Sequence, residues 1–128
     1  MTGHQILVVE DNERNLKLVR DVLQFAGYDV ISARSGEQGV TLARQRRPDL
    51  VLMDLQLPAM DGAEALRVLR DDPHTRAIPV VAVTAFAMKD DRERALHAGF
   101  DGYLEKPINV RAFPELVRGF LHRKEHPG

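Results

Sequence analysis

The chain has 128 residues, of which 44% are hydrophobic and 29% are charged, and it contains no cysteine. That length suits a single domain with one buried core, and the lack of cysteine excludes disulfides, thiolate nucleophiles and cysteine-based metal sites. Eighteen basic and nineteen acidic side chains leave a net charge of −1, without the basic excess of a nucleic-acid-binding domain. No apolar run approaches the ~20 residues of a membrane helix, and the N-terminus has no signal-peptide pattern. We therefore expect a cytoplasmic, single-domain protein that binds neither nucleic acid nor membranes.

Short β-branched runs alternate with longer amphipathic segments along the chain, a rhythm typical of a parallel sheet covered by helices. The first run, Ile6-Leu-Val-Val9, is too short for a helix and is apolar throughout, as in a strand buried on both faces. A helical period follows from Glu13 to Ala26, and Gly27 stands where a left-handed C-cap belongs. The same alternation then predicts strands at 28–33, 50–53, 80–83 and 102–104, and helices at 35–46, 63–70, 89–98 and 110–122.

Five strands and five helices in strict (βα)5 order predict an α/β fold with a doubly wound parallel sheet. Right-handed crossovers allow a Rossmann-like strand order or the flavodoxin-like order 2-1-3-4-5. The second order is the one we predict, and it makes the first and third strands neighbours. A single domain is expected to span residues 1–128, with its core at about 5–122 and no output domain.

Polar side chains stand at the carboxyl ends of four predicted strands, where ligands of open α/β sheets bind. The first strand is followed by Glu10 and Asp11, the third by Asp54, the fourth by Thr84, and the fifth leads to Lys106. Oxygen ligands without cysteine suit a hard cation such as Mg²⁺, or Mn²⁺ in its place. A cation and a lysine beside these carboxylates can neutralise a phosphoryl group, and a free carboxylate can attack its phosphorus. Each residue alone is also explained as a helix cap or a solvated loop residue, but four complementary strand ends favour a site.

Four segments carry a more specific pattern: Leu7-Val-Val-Glu-Asp11, Leu52-Met-Asp-Leu-Gln-Leu-Pro-Ala-Met-Asp-Gly62, Val83-Thr-Ala85 and Tyr103-Leu-Glu-Lys-Pro107. Together they resemble the receiver domain of bacterial two-component response regulators, over residues 5 to about 122. The strings Glu10-Asp-Asn-Glu13 and Thr84-Ala-Phe-Ala-Met-Lys89 are similar to those of single-domain cell-division regulators in this family.

The resemblance implies a phosphorylation site. Asp54 would accept a phosphoryl group from a histidine of a partner kinase or phosphotransfer protein. Glu10, Asp11, Asp54 and the backbone carbonyl of Gln56 would hold Mg²⁺. The side chains of Gln56 and Phe86 stand at positions that tune the lifetime of the phosphate in the family, and we expect Phe86 to hinder the hydrolytic water.

The resemblance also implies a switch. Thr84 would bond a phosphoryl oxygen, and Lys106 would form an ion pair with the phosphoryl group. The Lys106–Pro107 peptide bond would be cis and would aim the lysine inward. Tyr103 would turn inward once Thr84 is drawn to the phosphate, which gives the two-state element that allostery requires.

Two surfaces are candidates for partner binding. Leu18 and Val22 belong to a second apolar row on the first helix, which is either part of one broad buried face or a docking site for a kinase or phosphotransfer helix. The output would be a phosphorylation-dependent surface on the fourth helix, the fifth strand (including Tyr103) and the fifth helix, read by a downstream protein. The protein would be a monomer or a weak dimer.

These expectations describe a stand-alone response regulator in cell-cycle or developmental control, with no enzymatic activity beyond phosphorylation and dephosphorylation of its own Asp54. One alternative is a phosphorylation-independent adaptor of the same fold. Another is a phosphatase with an aspartyl nucleophile, although such enzymes carry Asp-x-Asp where this chain has Glu10-Asp-Asn. An FMN site is disfavoured because the acidic residues after the first strand would repel its phosphate.

Overall fold

The computed structural model describes residues 3–57, 59–84, 89–106 and 109–125. Within these residues, five strands alternate with five helices, as predicted. The strands are β1 (Gln5–Val9), β2 (Asp29–Ala33), β3 (Leu50–Asp54), β4 (Val80–Thr84) and β5 (Gly102–Glu105). The helices are α1 (Glu13–Phe25), α2 (Gly36–Arg46), α3 (Gly62–Asp71), α4 (Lys89–Ala98) and α5 (Phe113–Glu125).

All neighbouring strands are parallel, and their order is β2-β1-β3-β4-β5, which confirms the predicted topology. The register pairs Val9 with Met53, Asp54 with Val83 and Thr84 with Glu105. Because the strands are parallel and nearly in step, their carboxyl ends form one edge of the sheet.

Hydrophobic side chains are buried on both faces of the sheet, which explains the unbroken apolar runs in the sequence. Alternate strand residues supply the two cores. One core joins the sheet to α2, α3 and α4 and includes Leu7, Val9, Val51, Met53, Ala65, Leu66, Leu69, Val80, Ala82 and Ala95. The other joins it to α1 and α5 and includes Ile6, Val8, Leu16, Val19, Leu23, Leu50, Leu52, Val81, Phe113 and Val117. Of the helices in the described ranges, none combines the length and the apolar character needed to cross a membrane.

The predicted ends of α1 agree with the structure, whereas the predicted start of α5 does not. Gly27 adopts φ 97°, the left-handed conformation expected after α1. The last helix begins at Phe113 rather than at 110, and residues 110–112 form a turn that Asn109 caps. The Asn109 side chain accepts the backbone N–H of Arg111 at 3.0 Å and of Ala112 at 3.2 Å, and its carbonyl accepts the N–H of Phe113 at 2.9 Å.

A hydrogen-bond network around Arg70 closes the opposite edge of the sheet, before β4 and β5. The Arg70 guanidinium donates to the carbonyl of Ile78 at 2.7 Å and to the carboxylate of Asp101 at 2.8 Å. The same Asp101 oxygen accepts the backbone N–H of Val80 at 2.8 Å. One side chain of α3 therefore holds the starts of β4 and β5 together.

Candidate functional site

Four of the predicted site residues converge at the carboxyl edge of the sheet. Glu10 and Asp54 are buried where β1 and β3 end, and Thr84 is buried at the end of β4. Lys106, directly after β5, reaches across β4: its Nζ lies 2.9 Å from Oδ2 of Asp54 and forms a second ion pair with Glu10. The backbone N–H of Lys106 donates to the carbonyl of Thr84 at 2.8 Å, which holds the lysine at this edge.

Burial and hydrogen bonding give the two buried carboxyls, Glu10 and Asp54, different pKa values. Burial raises the pKa of Glu10 to about 7, and a hydrogen bond with Asp54 contributes in the same direction against the opposing effect of Lys106. Burial also acts to raise the pKa of Asp54, but hydrogen bonds from Glu10, Lys106 and the backbone of Gln56 outweigh it and leave that pKa below its ordinary value. Burial acts to lower the pKa of Lys106, and its two carboxyl partners raise it overall. Asp54 is therefore the carboxylate that stays ionised, the form that can act as a nucleophile.

Three carboxyl groups at this edge can hold a metal ion. Glu10, Asp11 and Asp54 each offer an oxygen, and these oxygens lie within 4.8 Å of one another. Asp11 is exposed while the other two are buried, so the cluster opens to solvent on one side. Oxygen ligands of high negative charge fit a hard divalent cation such as Mg²⁺.

The loop after β3 orients the Asp54 side chain. The backbone N–H of Gln56 donates to Oδ1 of Asp54 at 2.9 Å, while Lys106 holds the other carboxylate oxygen. Asp61 ends the loop as the N-cap of α3, since its side chain accepts the N–H of Glu64 at 2.9 Å. The sequence pointed to the carbonyl of Gln56, whereas the role of its N–H was missed. The closeness of Gln56 to Asp54 in the chain was the available signal.

Of the other predicted residues, Tyr103 packs against the hydrophobic core, and two lie outside the part of the chain that the structure describes. Tyr103 is half-buried and packs against the core that includes Val80 and Ala82. Phe86 and Pro107 lie outside the described residues, so the lifetime role of Phe86 and the cis peptide bond stay predictions.

The second apolar row of the first helix lies partly beside the site: Leu18 is next to it, and Val22 lies further along the helix. Leu18 is 38% exposed and lines an apolar cleft with Asn15 and Phe113. Asp54 and Lys106 line the same cleft. Further along α1, Val22, Phe25 and Ala26 line a second groove with Val110 and Pro114. The broad-face interpretation fits Val22, which is partly buried, whereas Leu18 lies at the boundary with solvent.

A parallel 2-1-3-4-5 sheet with an acidic cluster and a lysine at its carboxyl edge is the arrangement expected from the sequence for a receiver domain. The sequence pattern of the response regulator receiver domain matches residues 6–118, and the chain therefore belongs to this family of two-component systems.

Similar response regulators support this assignment. The polar-differentiation response regulator DivK of Brucella anthropi is 49% identical over 116 residues, which are 91% of this chain and 94% of that protein. DivK of Brucella ovis shows the same identity and coverage. The chain is thus similar to DivK over almost the full length of both proteins.

Two solved structures of metal-bound receivers are also similar. One is the receiver domain of the sensor histidine kinase PA1611 from Pseudomonas aeruginosa PAO1, with a magnesium ion coordinated in its active site cleft. It has a TM-score of 0.87 and 36% identity, over 94% of this chain and 99% of that chain. The Mn²⁺-bound response regulator Rcp1 has a TM-score of 0.75 and 31% identity, over 91% and 90% of the two chains.

Proposed function

We propose that this protein is a phosphorylation-controlled regulator that accepts a phosphoryl group on Asp54 from a histidine kinase or a histidine phosphotransfer protein. The observation that carries the proposal is the pairing of the ionised Asp54 carboxylate with Lys106 beside two further carboxyls. If the only role of this ion pair were to stabilise the fold, three acidic groups at the same edge of the sheet would not be needed, because their mutual repulsion disfavours folding.

The proposed reaction transfers the phosphoryl group between two side chains. An Asp54 oxygen forms a bond to phosphorus while the bond from phosphorus to the histidine nitrogen breaks, and the electron pair of that bond stays on the imidazole. Lys106, held beside Asp54 at 2.9 Å, neutralises charge on the phosphoryl oxygens. Hydrolysis of the product returns Asp54 to its carboxylate, and no other substrate is turned over.

Glu10, Asp11, Asp54 and the backbone carbonyl of Gln56 are the proposed ligands of Mg²⁺, with Mn²⁺ as a substitute. The bound ion supplies positive charge for the phosphoryl oxygens. The magnesium in the PA1611 receiver supports this proposal. Glu10, with a pKa of about 7, must lose its proton to serve as a ligand.

Thr84 and Tyr103 are the proposed switch. Thr84 would bond a phosphoryl oxygen, and the half-buried ring of Tyr103 would move inward as Thr84 shifts. The switch would alter a surface made of α4, β5 and α5, which a downstream protein reads. Phe86 and Gln56 would set how long the phosphate persists.

The similarity to DivK supports a role in cell-cycle or developmental control by a cytoplasmic, stand-alone domain that is a monomer or a weak dimer. The kinase or phosphotransfer protein would dock on α1, through Leu18 and Val22, next to the acidic site.

The test is the intact mass after incubation with a small phosphodonor, with and without Mg²⁺. We expect one added phosphoryl group that requires Mg²⁺ and is absent in Asp54→Asn. The matched control is Asp61→Asn, which changes an exposed carboxyl at the end of the same loop and should keep the adduct. If neither the small donor nor a phosphorylated histidine phosphotransfer protein labels the wild type, the proposal is wrong and an adaptor role is favoured. Turnover of small phosphate esters would instead favour a phosphatase.

A further inference from the structure

Two glycines hold the loop between β3 and α3 against its neighbours. Gly62, the first residue of α3, is buried against the end of β3. A Cβ at this position would lie 2.8 Å from the carbonyl oxygen of Asp54 and 3.1 Å from Cα of Leu55. Since both atoms belong to the backbone, a side chain at residue 62 could fit only if the chain at Asp54 moved.

The second glycine lies on a different helix. Gly36 is the first residue of α2 and is buried against Met60, near the far end of the loop. A Cβ on Gly36 would lie 2.7 Å from the carbonyl oxygen of Met60 and 3.2 Å from its Cγ. The start of α2 therefore touches the loop from outside, through a contact that only a residue without a side chain permits.

The loop itself adopts a conformation that needs such support. Ala59 has φ 64°, a left-handed conformation that costs free energy for a residue with a Cβ. Backbone of this kind persists where the surrounding structure holds it in place. The same loop supplies the Gln56 N–H that orients the Asp54 carboxylate at 2.9 Å.

We propose that Gly36 and Gly62 are positioning residues for the phosphoacceptor: by lacking side chains, they let the starts of α2 and α3 close on the β3–α3 loop, and this closure sets the orientation of Asp54. The inference rests on the proposed function of Asp54 and extends it to α2, a helix that supplies none of the proposed site residues. It predicts that small movements at the start of α2 change the reactivity of Asp54.

Two other glycines provide controls. Gly39 lies on the same helix as Gly36 and is also buried, but a Cβ there would meet the Cγ2 atom of the Val9 side chain at 2.7 Å rather than the loop backbone. A Cβ added to Gly119 in α5 would meet no atom within 4 Å in the part of the chain that the structure describes. Gly39→Ala therefore disturbs packing without touching the loop, and Gly119→Ala should disturb neither.

The experiment compares Gly36→Ala, Gly62→Ala, Gly39→Ala and Gly119→Ala with the wild type. The rate of Asp54 labelling by a small phosphodonor at saturating Mg²⁺ is measured well below each melting temperature, together with the ¹⁵N–¹H shift of the Gln56 amide. We expect Gly36→Ala and Gly62→Ala to label roughly 10- to 100-fold more slowly, as misplacement of a reacting group by about 1 Å does, and to shift the Gln56 amide. Gly39→Ala should melt earlier, but its labelling rate should stay within about twofold of wild type.

The inference is overturned if the labelling rates simply follow the melting temperatures across all four variants, or if Gly36→Ala labels at the wild-type rate. Should Gly62→Ala fail to fold, Gly36→Ala carries the comparison, because its contact is remote from Asp54. If the wild type is not labelled at all, the proposed function fails. The Gln56 shift in Gly36→Ala then still reports whether α2 positions the loop.

Discussion

Lys106 supplies the positive charge that compensates the buried carboxyls at the carboxyl edge of the sheet. Its ammonium group bridges Glu10 and Asp54, and its side chain is only 14% exposed. Because little water reaches these groups, their charges interact more strongly than they would on an open surface. The lysine ammonium replaces water as the group that stabilises each carboxylate.

We predict that Lys106→Met lowers the free energy of unfolding at neutral pH by about 3 kcal/mol, because it leaves two carboxyls buried without their cation. Urea unfolding at pH 7 measures this loss. Lys17→Met is the matched control: its ion pair with Asp21 is exposed, and a change of about 0.5 kcal/mol or less is expected. A similar loss in both variants would contradict this role of Lys106.

A second prediction at this scale concerns Leu18. Leu18→Asp should slow phosphoryl transfer from a histidine phosphotransfer protein by at least about tenfold, because a charge would stand on an apolar contact. Labelling by a small phosphodonor should be unchanged, as should the melting temperature within a few degrees, since Leu18 is 38% exposed. Leu96→Asp on α4, with a side chain that is 45% exposed, is the control and should transfer at the wild-type rate. Equal slowing with both donors would instead mean that Leu18 supports the site itself.

Residues at strand ends were predictable from the sequence, whereas the contacts between loops were not. A parallel sheet brings the carboxyl ends of its strands together, so Glu10, Asp54 and Lys106 could be assigned to one edge from strand positions alone. The contact of Gly36 with Met60 depends on how closely α2 approaches the loop, and no local pattern encodes that distance. The N–H of Gln56 is hard to single out for another reason: every residue except proline carries one, and only its closeness to Asp54 in the chain marks it.

At the scale of the elements, Asp72 ties the end of α3 to α2 and to the following loop. Its carboxylate accepts Nε of Arg44 at 2.7 Å and the backbone N–H of His74 at 2.9 Å. The N–H of His74, followed by the Arg44 guanidinium, lowers the pKa of Asp72 from 3.8 to about 2.

This lowered pKa predicts a dependence of stability on pH. In the folded state Asp72 stays ionised at pH values below 3.8, its ordinary pKa. Its contribution to the free energy of unfolding is therefore complete above about pH 4 and is lost as the pH falls towards 2. Asp72→Asn should therefore lower the urea midpoint at pH 7 and make the acid-induced loss of stability shallower between pH 4 and 2. Asp71→Asn, at the neighbouring exposed position, is the matched control for the loss of one negative charge. Parallel profiles for wild type and Asp72→Asn would refute the assignment.

The start of α5 shows where element prediction fails. Residues 110–112 fit a helical pattern in the sequence, yet the side chain of Asn109 captures two of the N–H groups that follow it and forms a turn. These are the bonds of an N-cap, and the Asn109 carbonyl also accepts the N–H of Phe113, so a capped turn precedes the helix, which begins at Phe113. Periodicity reports which face is apolar, but the local hydrogen bonds decide where the helix begins.

At the scale of the whole molecule, binding of Mg²⁺ should raise the free energy of unfolding. If the acidic cluster holds Mg²⁺ in the folded state only, then Mg²⁺ at about 100 times its dissociation constant stabilises the fold by about 2.7 kcal/mol. For a domain of this size, that corresponds to a rise in melting temperature of roughly 10 °C.

The matching measurement is thermal unfolding with and without Mg²⁺ in wild type, Asp11→Asn and Asp21→Asn. Asp11→Asn should lose most of the rise, because it removes the exposed member of the cluster. Asp21→Asn changes an exposed carboxylate on α1 and should keep the rise. An equal rise in all three proteins would indicate a general effect of ionic strength.

The Arg70 network affects how much of the protein is folded. One guanidinium joins α3 to the starts of β4 and β5, at the edge of the sheet that faces away from the acidic residues. Loosening it would change the fraction of molecules that are folded, and so the number that escape chaperones and proteases. Substitution of Arg70 is thus expected to change the amount of folded protein while leaving the residues of the acidic edge in place in each folded molecule.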